Sequence, residues 1–147
     1  MAMQFDIKTV IDQRGNLSVL EHLPFAVKRV YYLHGTEVSS MRGGHAQKTL
    51  DRIMIAVHGS FKASVRYHQW DTYTLNDPTV GLRILPKEWV ELTDFSKDAV
   101  CLVLASDAYN EADSVRDFAT FKRLTKARSF CDCRQGRDPC DCERSVA

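Results

Sequence analysis

The chain has 147 residues, 20 Lys and Arg against 19 Asp and Glu, a net charge of +1 and 44% apolar residues. This is the composition of one globular domain, with no field that would recruit nucleic acid or an acidic membrane. No apolar run approaches the ~18–20 residues of a membrane-crossing helix, and Met1–Asp6 lacks basic and apolar signal regions, so a soluble cytoplasmic protein is expected.

Short strands and turns are predicted up to about residue 107. Arg14-Gly15-Asn16 is a turn signal, and Val27–Leu33 is rich in β-branched and aromatic residues and reads as a strand. Tyr31 and Tyr32 alternate in facing there, so one at most points into a cavity. Met41-Arg-Gly-Gly-His-Ala-Gln-Lys48 is the densest polar cluster. If it is extended, His45 and Gln47 share a face, and Arg42 joins them only if the glycines bend the chain. An imidazole beside an amide and a guanidinium offers a proton-transfer group, a hydrogen-bond partner and an anion clamp.

Ile53–Val57 is continuously apolar, as is Val100–Leu104, which reads Cys101 as a small buried core residue. Between them Phe61–Tyr67 alternates strictly, the mark of a half-buried strand. Turn signals at His58-Gly59-Ser60, Asn76-Asp77-Pro78 and Pro86 separate the runs. Such spacing predicts an all-β sandwich or barrel. One helix is predicted over Ser114–Lys126, with Asp113 or Ser114 as its cap and Val115, Phe118, Phe121 and Leu124 near one face. Residues 1–126 form the predicted domain, and 127–147 a polar tail with Cys131, Cys133, Cys140 and Cys142. The C-x-C spacing suits a zinc ion less well than C-x2-C, so a flexible, reduced tail is expected.

Several stretches together resemble the nucleotide-sugar 3,4-ketoisomerases, the small WxcM-like cupins that act on dTDP-4-keto-6-deoxyglucose. They are Asp12-x-Arg14-Gly15-x-Leu17, Pro24-Phe25-x-Val27-Lys28-Arg29-Val30-Tyr31-Tyr32, Arg42-Gly43-x-His45-Ala46-x-Lys48, the His58-Gly59-Ser60 turn, Asp94-Phe95-Ser96, and the run from Leu102 through Tyr109, Glu111 and Asp113 to Arg116-Asp117. The pieces appear in family order from about residue 5 to 124. The resemblance implies a cupin or jelly-roll barrel (RmlC-like) with a C-terminal helix, a homodimer, no metal or other cofactor, and tautomerisation through an enediol. The product would feed an aminotransferase in deoxyamino-sugar biosynthesis.

Two departures stand out. The family pattern is usually R-G-x-H-A-H-K, and here the second His is Gln47. The family often carries Trp-His before Asp-Phe-Ser, and here the pair is Trp89-Val90. Gln can hold an enediol oxygen but cannot titrate. R-G-x-H-x-Q also resembles the motif of the dTDP-4-dehydrorhamnose 3,5-epimerases, cupins that use a single His as base. On this reading His45 moves the proton and Gln47 and Tyr31 hold the enediol oxygens. Arg14, Arg29, Arg42 and Lys48 are the candidate substrate-binding residues. A 3- or 5-epimerase and an inactive nucleotide-sugar-binding cupin stay open as alternatives.

Overall fold

The computed structural model describes residues 1–129. The four tail cysteines, and with them the reading of the tail, lie outside the described residues. Among the described residues twelve strands are formed: β1 (Met3–Asp6), β2 (Lys8–Asp12), β3 (Gly15–Val19), β4 (Arg29–Leu33), β5 (Arg42–Gln47), β6 (Arg52–His58), β7 (Phe61–Arg66), β8 (Trp70–Leu75), β9 (Val80–Ile84), β10 (Trp89–Thr93), β11 (Val100–Ala105) and β12 (Ser114–Val115). One helix follows, α1 (Phe118–Ser129). It runs three residues past the expected domain boundary at 126.

Two five-stranded antiparallel sheets, ordered β1-β9-β6-β11-β4 and β12-β5-β10-β7-β8, build the barrel, and β2 and β3 form a separate hairpin. This is the jelly-roll cupin architecture that the alternating runs and turn signals predict. Side chains of period two from both sheets fill the interior. Ala56, Phe61, Ala63, Val65, Leu75, Leu82, Ile84, Phe95 and Cys101 are all buried there, and the Phe61 and Phe95 rings stack 5.5 Å apart. Burial of Cys101 pushes its thiol up to about 12. The β6–β7 turn needs Gly59: at φ +66°, a Cβ would stand 2.9 Å from Ala99 Cα and also meet the Ser96 hydroxyl.

The C-terminal region differs from its prediction. The helix begins at Phe118, not Ser114, because Ser114 and Val115 pair with Gln47 and Ala46 on the free edge of β5. A ladder pairing and a buried Val115 outweigh helical periodicity here. The N-cap is therefore Asp117, whose Oδ2 accepts from the Thr120 amide at 2.9 Å. Phe118 and Phe121 pack against Trp89 on the outer face of the sheet, with ring centroids 5.0 and 5.4 Å away, while Leu124 is exposed. Trp89 is thus a core residue of the clasp between helix and barrel, not a platform for a base.

Candidate active site

A cavity of about 370 Å³ opens into one half of the barrel. Strand β5 supplies its most polar wall. His45 and Gln47 point inward, and Ala46 between them points outward under Phe121. Gly43 and Gly44 take φ of +81° and +72° and form a bulge opposite Val90 and Glu91. A Cβ on Gly43 would lie 2.6 Å from the Val90 carbonyl oxygen. The bulge shifts the parity of the strand, so Arg42 lines the same cavity as His45 and Gln47. The two glycines do bend the chain, and three polar side chains converge.

From the facing sheet, β4 contributes Arg29, Tyr31 and Leu33, while Val30 and Tyr32 point outward and are exposed. Tyr31 is thus the tyrosine of the pair that faces the cavity. The Arg29 guanidinium lies 4.3 Å from the Tyr31 ring centroid and 5.2 Å from that of Tyr109. At the rim, Arg116 grips Glu111 through two hydrogen bonds of 2.7 and 3.0 Å, and the Tyr109 hydroxyl donates to the same carboxylate. These donors hold Glu111 down at about 2, Arg116 having the larger influence.

Gln47 is fixed by Ser114, whose Oγ donates to its Oε1 at 3.2 Å. The amide nitrogen is then the end left to donate. Val90 is the partner of His45 across the β5–β10 ladder and also lines the cavity. Both departures from the family pattern, at 47 and 90, therefore fall in one place, and among the described residues His45 is the only imidazole on the wall. Burial pushes the His45 pKa down, the Arg52 cation pushes it further, and the Gly43 backbone opposes both. His45 Nδ1 is buried with no hydrogen-bond partner. A neutral imidazole is the form this site favours, which is the form a base needs.

Two of the expected substrate-binding residues lie off the cavity lining. Arg14 sits in the β2–β3 turn with its side chain 90% exposed and paired with Asp12 at 2.6 Å. Lys48 turns outward; its Nζ donates to the Ala112 carbonyl and its amide to that of Asp113, each at 2.9 Å. Lys48 thereby anchors the 111–114 segment that carries Glu111 and Ser114 to the rim. Conversely, Arg52, Tyr109 and Arg116 line the cavity and are not among the expected site residues. For Arg52 the signal was there: a charge at the head of an apolar run, at the same parity as Met54 and Ala56.

The model of the family described as FdtA: WxcM-like, C-terminal matches residues 2–126. The chain belongs to that family. It is 39% identical over 122 residues to the TDP-4-oxo-6-deoxy-alpha-D-glucose-3,4-oxoisomerase of Aneurinibacillus thermoaerophilus, covering 80% of this chain and 88% of that one. The 3,4-ketoisomerase QdtA of Thermoanaerobacterium thermosaccharolyticum, solved with TDP, superposes with a TM-score of 0.84 at 35% identity, covering 86% of this chain and 96% of that one. A mutant of QdtA has been solved with TDP-4-keto-6-deoxyglucose. A 3,4-ketoisomerase from Helicobacter canadensis superposes with a TM-score of 0.82 at 35% identity, covering 85% and 97% of the two chains. The expected fold and family are both borne out.

Proposed function

We propose that this WxcM-like cupin is a TDP-sugar 3,4-ketoisomerase, converting TDP-4-keto-6-deoxyglucose to a TDP-3-keto-6-deoxyhexose. The observation that carries the reading is His45 on the wall of a cavity that also presents cations, phenols and an amide, with burial holding its pKa down. A sugar bearing a ketone and two phosphates meets complementary groups there. His45 removes the proton from C3, and the electron pair moves through the new C3–C4 double bond onto the C4 oxygen. Tyr31 and the Gln47 amide hold the enediol oxygens. The hydroxyl proton then passes from O3 to O4, the imidazolium returns a proton to C4, and the carbonyl is left on C3. One carbon is oxidised and its neighbour reduced, so no external oxidant enters. Arg29 and Arg42 bind the diphosphate as the sugar enters.

The exposed apolar side chains Val30 and Tyr32 on the edge strand β4 support a homodimer, since an uncovered edge of this kind invites pairing. Light scattering that finds a stable monomer of 16.7 kDa at micromolar concentration removes the dimer. The activity itself is tested by incubating the protein with TDP-4-keto-6-deoxyglucose in D2O and following the sugar by NMR. The 3-keto isomer with deuterium incorporated from solvent is the expected product. Deuterium at C5 would make the protein an epimerase, and no exchange at all would make it a nucleotide-sugar binder.

A further inference from the structure

One buried group in the cavity has no part in the mechanism above. Arg52 opens β6 and is 1% exposed, yet it lines the cavity. Its Nε and Nη2 are buried without a hydrogen-bond partner, and among the described residues no carboxylate pairs with it. An arginine does not shed its charge in a protein. A buried cation without an anion is expensive, and such a group calls for a reason. Tyr31 is the strongest of the neighbours that support the charge.

We propose that Arg52 is a catalytic residue of this isomerase, donating hydrogen bonds to the oxyanion that forms as His45 removes the C3 proton. The proposal rests on the ketoisomerase reading. As the C3–H bond breaks, its electron pair forms the C3–C4 double bond and the carbonyl pair moves onto O4. Two fixed N–H groups with no other partner suit that oxygen. The hydroxyl proton then passes from O3 to O4, C4 takes the proton held by His45, and Arg52 gives up none of its own.

Place and chemistry separate Arg52 from a diphosphate clamp. Arg42 and Arg116 are exposed at the rim, and Arg116 is already engaged by Glu111. Arg52 is buried, lines the same cavity as His45 and Met54, and lies beside Tyr31. The shortage of imidazoles points the same way. With Gln47 and Val90 in place of two histidines, the enediolate has no imidazolium beside it except the one it has just created. A permanent cation is the substitute this chain provides.

The charge also acts on the base. The titratable and charged groups facing His45 are Arg29, Tyr31 and Arg52 from the opposite sheet, Arg42 on its own strand, and Tyr109, Glu111 and Arg116 from the rim. Arg116 disfavours the imidazolium and Glu111 favours it, so the two oppose each other. Arg52 is the largest charged influence on His45.

The test compares wild type, Arg52→Gln and Arg52→Lys in TDP binding, in turnover of TDP-4-keto-6-deoxyglucose and in the pH profile of kcat/KM. Arg52→Gln is expected to bind TDP within about twofold of wild type and to lose roughly 10²–10³ in kcat, the usual cost of one oxyanion donor. Its acidic limb should move to higher pH, because the cation that opposed protonation of His45 is gone. Arg52→Lys should keep the limb in place and still lose about tenfold, since an ammonium cannot offer two fixed N–H groups. A kcat within about threefold of wild type in Arg52→Gln overturns the proposal, as does weaker TDP binding with kcat unchanged. If Arg52→Gln does not fold, Arg52→Lys decides: an unchanged kcat overturns the role. A wild type that binds TDP but yields neither isomer nor exchange ends the ketoisomerase reading itself, before any variant is compared.

Discussion

The barrel interior has two halves of opposite chemistry, and one strand crosses between them. Along β6 the inward positions run Arg52, Met54, Ala56. Arg52 faces the cavity, Met54 borders both halves, and Ala56 is buried in a wholly apolar half with Phe61, Leu82 and Phe95. The packed half is built of apolar side chains and makes the fold stable. The cavity half collects four arginines on its walls, Arg29, Arg42, Arg52 and Arg116, around His45. Like charges gathered in one place weaken a fold through their repulsion, so the apolar half must supply the stability that the other gives up.

The largest expected effect separates the halves by function. His45→Asn should lower kcat by roughly 10²–10⁴ while TDP binding and the melting curve stay close to wild type. Turnover equal to wild type would remove His45 as the base. In the packed half Phe61→Ala should do the opposite. It should cost about 3–5 kcal/mol in urea unfolding, with kcat per folded molecule little changed. A loss below about 1 kcal/mol would show that the apolar half does not carry the stability.

Gly43→Ala tests the seam. The added methyl meets the Val90 carbonyl in a backbone conformation that alanine avoids. A stability loss of about 1–3 kcal/mol is expected, with a fall in kcat because Arg42 and His45 lose their common facing. A variant of full stability and full activity would show that the bulge does not set the site. The smallest effect is a displacement in pH. His45 must be unprotonated to act, and burial and Arg52 hold its pKa below the ordinary 6.5. Activity is therefore kept as the pH falls to 6.5 and is lost only lower. An acidic limb in kcat/KM at or above 6.5 would contradict that placement.

Much of this was legible in the residues. Strict alternation over Phe61–Arg66 and the continuous apolar run after Arg52 gave two central strands, because burial on one face or on both writes a different pattern. The motif Arg42–Lys48 named three residues of the cavity wall. What escaped is non-local. Ser114 and Val115 look helical until the free edge of β5 is there to pair with them. Lys48 and Arg14 carry the right charge for a phosphate, but facing is set by a bulge and a hairpin that the residues alone do not fix. Arg52 was hidden by its neighbours, since a run of Ile, Met and Ala reads as core and draws attention away from its first residue.

Cys101 gives the packed half a chemical reporter. It sits in the middle of the barrel on β11, between β4 and β6, with no exposed surface and a thiol held in its unreactive protonated form. A thiol reagent can reach it only when those strands part. Its labelling rate therefore counts openings of the barrel, molecule by molecule, under conditions where the enzyme is fully native. A cavity variant that leaves that rate alone has changed the chemistry and not the scaffold, a distinction that a melting curve, which averages over the whole chain, does not draw.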